Sequence, residues 1–206
     1  MIRSLTKSLT LVMLLTATVA AEKTDETAKQ LRALKLTTVN GQLIAPFADS
    51  STKAVTLIFV ADTCPVANAF QPSLAAFHKA YADQGVVCVQ VHCSSLVTAD
   101  EVKKHVVDFG ITMPVVYDPK QELGRLIGAK VTPEAIVIDR AGTVRYRGAI
   151  NNLYAGYGKK QRVATAHYLQ DAVDAVLAGD TKKTEYQTGG VLYSLRGRVV
   201  SALPFE

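Results

Sequence analysis

Two apolar runs of strand length, separated by a segment with helical periodicity, constrain this chain most. Ala54 to Ala61 is apolar apart from Thr56, and Val86 to His92 is nearly so. Runs of this kind mark strands buried on both faces. Between them Phe70, Leu74, Phe77 and Tyr81 recur at spacings of 4, 3 and 4. That spacing makes one face of a helix over 67–81, which Gln84-Gly85 ends.

The same punctuation continues along the chain. Leu34 to Phe47 alternates about Asn40-Gly41, a two-residue hairpin signal that calls for positive φ at both positions. Thr98-Ala-Asp-Glu101 is a capping box opening a helix with Val102, Val106 and Phe109 inward, closed by Gly110. Pro114 to Tyr117 is a short strand, and 120–128 a short helix carrying Leu123, Leu126 and Ile127. Glu134–Asp139 and Thr143–Arg147 are strands around Arg140-Ala141-Gly142. After a loop with Gly156 and Gly158, a helix is expected over 161–178, with Val163, Ala166, Leu169, Val173 and Val176 inward. The segment 181–206, with Gly189-Gly190, is expected to be irregular. Strands alternating with helices predict an α/β fold. Its central mixed sheet carries helices on both faces, preceded by an N-terminal β-hairpin.

At 206 residues, 49% apolar and 20% charged, the chain suits one domain with a real core. Its first residues are a different material. Arg3 and Lys7 precede the apolar run Leu9 to Val19, and small residues follow at Ala20-Ala21. This is the pattern of a secretory signal over 1–21. The run is shorter than the ~20 residues that span a bilayer. Residues 22–33 form a leader, 34–180 the domain. Removing Arg3 and Lys7 leaves 21 basic against 18 acidic residues, a net charge of +3. Without a dense basic stripe, nucleic acid is not an expected partner. Lys182, Lys183, Arg196 and Arg198 are expected to be solvated surface. The mature protein is expected in the periplasm or outside the cell, with no integral membrane span.

Export places Cys64, Cys88 and Cys93 where disulfides persist. Three is an odd number, too few for a disulfide scaffold, so the cysteines are free for chemistry. In parallel sheets, chemistry gathers beyond the carboxyl ends of the strands. That rule selects 61–65 and 92–95, each with a cysteine. Cys64 falls just before a helix that Pro65 can open. Free N–H groups there favour a thiolate, against the opposing charge of Asp62. Cys88, among valines inside a strand, is expected to be inert core. His92, beside Cys93, is a candidate base. His78, His105 and His167 are expected at the surface. No phosphate loop, Ser-His-Asp triad or zinc motif is visible, and no cofactor or metal is expected.

Phe59-Val-Ala-Asp-Thr-Cys64-Pro65-Val-Ala67 resembles the active-site segment of thioredoxin-like proteins. It is most similar to the redoxin group, the alkyl hydroperoxide reductase C and thiol-specific antioxidant (AhpC/TSA, peroxiredoxin-like) proteins. Pro72 matches the proline that kinks the family's first helix, and Thr132-Pro133 its cis-proline facing the active cysteine. The resemblance covers roughly 34–178 and implies a thioredoxin-like fold. It implies a thiol oxidoreductase or antioxidant peroxidase with Cys64 as nucleophile. Thr63 would stand beside the nucleophile, and Pro65, Thr132 and Pro133 would shape the pocket. The substrate would be a peroxide or a disulfide, and the reductant an external thiol or a thioredoxin-like protein. Three positions depart from the pattern. Ala67 replaces the second cysteine of Cys-x-x-Cys, Thr63 the usual tryptophan, and Ala61 the peroxiredoxin threonine. Arg125 and Arg145 are candidates for the peroxide-binding arginine. Cys93 is the internal candidate for resolving an oxidised Cys64. Tyr146, Tyr154 and Tyr157 could border the site. The other reading is a redox-inactive thioredoxin-fold module that binds a protein partner or metal.

Overall fold

The computed structural model describes residues 25–154, 159–182, 184–185, 192–193 and 199–200. The signal segment, the first leader residues, Gly156, Tyr157, Gly158, Lys183, Gly189 to Val191, Arg196 and Arg198 lie outside the described residues. A helix over 25–32 (α1) leads into the hairpin of β1 (Leu36–Thr37) and β2 (Leu43–Ile44). Then come β3 (Ala54–Val60), α2 (Pro65–Ala69), α3 (Gln71–Tyr81), β4 (Val86–His92), α4 (Ala99–Asp108) and β5 (Val115–Tyr117). They are followed by α5 (Glu122–Ile127), β6 (Glu134–Asp139), β7 (Val144–Gly148), α6 (Tyr168–Leu177) and β8 (Thr184–Glu185). A separate antiparallel pair joins β9 (Leu192–Tyr193) to β10 (Val199–Val200).

The main sheet has the order β5-β4-β3-β6-β7-β8. β3 and β4 run parallel, from Ala54 opposite Val86 to Val60 opposite His92. β6 pairs antiparallel with β3 on its other side. Every residue of β3 is buried, as its unbroken apolar run predicts. Alternation divides the side chains between two layers. One holds Ile58, Val60, Cys88 and Val137 under Leu74 and Phe77 of α3 and Leu169 and Val173 of α6. The other holds Leu57, Phe59, Val91 and Ile136 against Leu31 of α1, Phe47, and Leu123 and Ile127 of α5.

Five expectations need correction. The hairpin forms, but as a longer loop in which Gly41 N–H bonds the Thr38 carbonyl. Gly41 has φ 82°, whereas Asn40 keeps a negative φ. One left-handed residue therefore suffices, as in a turn closed by a glycine bulge. The helix expected over 67–81 is two helices meeting at Phe70, because Pro72 has no N–H to continue the ladder. Its predicted inner face of Phe70, Leu74, Phe77 and Tyr81 is nevertheless buried. In α4 the capping box is present, but Phe109 is 42% exposed and His105 is buried with Val102. Finally, α6 begins only at Tyr168. The preceding segment is tied as a loop by Asn152 Oδ1, which accepts from the Thr165 and Ala166 N–H groups, and Val163 is exposed. The tail expected to be irregular supplies β8, parallel to β7.

Candidate functional site

Cys64 sits just beyond the carboxyl end of β3 as the N-cap residue of α2, with φ −83° and ψ 110° and Pro65 at the start of the helix. A non-helical cap followed by proline is the local arrangement that the sequence predicts. The cap is the sulfur itself: Sγ accepts from the Ala67 N–H at 3.5 Å. From the other side, the Thr132-Pro133 peptide is cis, and the Thr132 carbonyl lies 4.0 Å from Sγ, which donates to it. Cys64 and Thr132 thus meet, with Pro133 next in the chain. Thr63 and Pro65 are exposed, while Thr132 and Pro133 are buried.

The expectation of a poised thiolate is not met in this conformation. The Cys64 side chain is sealed, with 0% exposure, among Val66, Ala67 and Phe70. Burial pushes its thiol up from the ordinary range, and the Ala67 and Val66 N–H groups offset this only in part.

Cys93 does not come to Cys64. It follows β4 on the opposite face, packed with Phe59 and Val91, and its Sγ donates to the Val60 carbonyl at 3.4 Å. Burial, with Asp118 and Glu134 nearby, pushes this thiol up to about 12. The two thiols belong to the layers on opposite faces of the sheet, and all three cysteines are free. Cys88 is 2% exposed, with its thiol pushed by burial to about 11.

Arg145 is committed to Asp139 Oδ2 at 2.6 Å, at the far end of β6 from Pro133. Arg125 is exposed on α5. Tyr154 packs its ring against Phe70, centroids 5.7 Å apart, beside the segment that covers Cys64. Tyr146 is buried and donates to the Ala149 carbonyl.

A polar cluster beside α2 completes the site. Asn68 Nδ2 donates to the Asp62 carbonyl at 2.8 Å. This fixes Asn68 Oδ1 as an acceptor, so His105 Nε2, 2.8 Å away, carries the proton. The His105 ring lies between Phe109 (4.4 Å) and His92 (5.1 Å). His92 is fully buried, and burial, with His105 beside it, pushes its ring down to about 3. It is a neutral core group here and not a base. Burial also lowers His105, opposed by Asp62 and Asp108. The expectation of a surface His105 is thus corrected. Its place three residues after Val102, on the apolar stripe of α4, was the sequence signal for it. Among the described residues no group of three His, Cys, Asp or Glu side chains is placed to hold a metal ion.

The model of the AhpC/TSA family matches residues 27–147, more than half of the chain. The chain belongs to the AhpC/TSA family. Its fold is thioredoxin-like. A hypothetical protein of Sinorhizobium meliloti 1021 is similar at 25% identity and a TM-score of 0.63, covering 82% of this chain and 94% of that one. An uncharacterized conserved protein of Geobacillus kaustophilus is similar at 22% identity and a TM-score of 0.63, covering 82% and 92%. A secreted Mycobacterium tuberculosis disulfide oxidoreductase homologous to E. coli DsbE shares the fold at 17% identity, with a TM-score of 0.50 and coverage of 73% and 98%. No curated protein matches the chain. Among the described residues of this AhpC/TSA protein, no helix is long and apolar enough to cross a membrane.

Proposed function

We propose that this AhpC/TSA protein is an exported thiol oxidoreductase or peroxidase whose reacting group is Cys64. The observation that carries this reading is the meeting of three features at one sulfur. Cys64 caps a helix, accepts a backbone N–H, and lies against the carbonyl preceding a cis-proline. The Cys64 thiolate attacks a peroxide oxygen, breaking the O–O bond. It becomes a sulfenate, and the peroxide leaves as water or an alcohol. On a disulfide it forms a mixed disulfide and releases one thiolate. Cys93 lies across the sheet, so an external thiol completes the cycle. Two equivalents of that thiol are oxidised to a disulfide as Cys64 returns to the thiol. Because the sulfur is sealed in the resting fold, reaction follows a local opening of the 63–69 segment.

Cys64→Ser is expected to abolish reduction of hydrogen peroxide or of a small disulfide while leaving the circular dichroism unchanged. Full activity in that variant refutes the proposal. The sealed, protonated sulfur favours a second reading, a redox-inactive module that binds a protein partner. In that case Cys64 in the native protein does not react with hydrogen peroxide, and intact mass shows no added oxygen.

A further inference from the structure

The chain around Cys64 is held shut by side chains whose other contacts are few. Asp62 and Asn68 stand on either side of Cys64, and the Asn68 Nδ2 bond to the Asp62 carbonyl closes a loop with the thiol near its middle. The helix inside that loop is five residues long. One turn has almost no stability of its own, so tertiary ties decide whether it forms. Pro72 and the break at Phe70 uncouple it from α3, whose length cannot then support it. Besides the long Cys64 Sγ bond to the Thr132 carbonyl, a polar tie to the body of the protein comes from α4: His105 Nε2–H donates to Asn68 Oδ1. Among the described residues the His105 imidazole makes no other hydrogen bond, since its Nδ1 is buried and unpaired. Its ring cannot swing away freely, because Phe109 and the fully buried His92 flank it. The imidazole is thus presented to a single partner on the segment that covers the sulfur.

We propose that His105 and Asn68 are positioning residues that latch the 62–68 loop and keep the Cys64 thiol closed until the loop is released. The proposal rests on reading Cys64 as the reacting thiol, and its test reads opening directly and not turnover. In the closed fold a small alkylating reagent reaches Cys64 only through the open fraction. The alkylation rate therefore scales with the opening equilibrium. Losing the His105 bond leaves Asn68 Oδ1 without its buried donor and shifts that equilibrium.

The experiment measures iodoacetamide labelling of Cys64, Cys88 and Cys93 in the folded full chain by peptide mass spectrometry. In His105→Leu, labelling of Cys64 is expected to rise about tenfold. In His105→Gln, whose Nε2 can still donate to Asn68, it is expected to stay within about threefold of the parent. Asn68→Ala is expected to match His105→Leu, and it carries the test should the leucine variant not fold. Cys88 and Cys93 act as internal references and are expected to remain unlabelled. An unchanged Cys64 rate in a folded latch variant overturns the proposal. So does a glutamine variant as fast as the leucine one, or a rise shared equally by all three cysteines, which marks general unfolding. Failure of the enzymatic reading looks different: Cys64→Ser keeps full activity while the labelling pattern still follows the latch.

Discussion

Cys93→Ala tests whether the cysteine facing away from the site is structural, through the pH dependence of folding. In the folded chain burial first, then Asp118 and Glu134, raise this thiol to about 12 from an ordinary value of 9.0. The folded pKa is the higher one, so its contribution to stability is complete below pH 9. It is lost as pH rises toward 12, because the unfolded chain ionises first. In that window the unfolded state holds one proton fewer, and stability falls by about 1.4 kcal/mol per pH unit. Between about pH 8 and about pH 10.5 the accumulated loss from this one group is ~2 kcal/mol. Urea unfolding of parent and variant at both pH values isolates it. Removing the sulfur changes packing by an amount that does not depend on pH, so it cancels in the difference between the two slopes. The parent is expected to lose ~2 kcal/mol more than Cys93→Ala over the interval. Equal losses refute the reasoning. They would mean that Cys93 is solvated, and the argument that it cannot resolve Cys64 would lose its electrostatic half.

Two further outcomes follow from local geometry. Thr98→Ala removes the capping box of α4, in which Thr98 Oγ1 accepts from the Glu101 N–H and the Glu101 carboxylate accepts from the Thr98 N–H; urea unfolding is expected to show a loss of about 1 kcal/mol. Gly142→Ala is expected to cost more than ~1 kcal/mol in the same assay. A Cβ there would collide with the Ala28 carbonyl oxygen, on a residue with φ +81°. A neutral Gly142→Ala would mean that α1 does not pack against the β6–β7 turn.

The sheet was legible because its evidence is one-dimensional. β4 occupies the residues that its apolar run marks, and β3 ends one residue earlier than its run. The place of Cys64 was legible for the same reason, since a strand end followed by proline and a helical period defines an N-cap. Its burial was not, because the cover comes from Phe70 and from Thr132, 68 residues away. The side on which Cys93 lies was half legible. Within β4, parity separates Cys88 and His92 from Cys93, yet the direction of Cys64 is set by the turn at 61–63, where alternation carries no information. The burial of His105 was not legible because the apolar spacing of α4 does not mark a polar residue. A histidine on the apolar stripe of α4 is tolerated there since Asn68 satisfies one nitrogen and the Phe109 and His92 rings flank it.

The conflict at Cys64 between what lowers its pKa and what raises it has a structural resolution. The groups that favour the thiolate are the Val66 and Ala67 N–H donors, two and three residues along the same short helix. The cause that opposes it, burial, comes from Phe70, Thr132 and the rest of the layer over the sheet. The local donors are lost if the single turn unwinds, and the tertiary cover is lost in either case. Release of the loop therefore removes the larger, unfavourable influence whether or not the single turn survives it. On this view a single displacement makes the thiol reachable and also more acidic. Under Asn68→Ala the pH midpoint for Cys64 labelling should then fall together with the gain in rate. If the rate rises and the midpoint does not, burial is not what raises the thiol in the closed state.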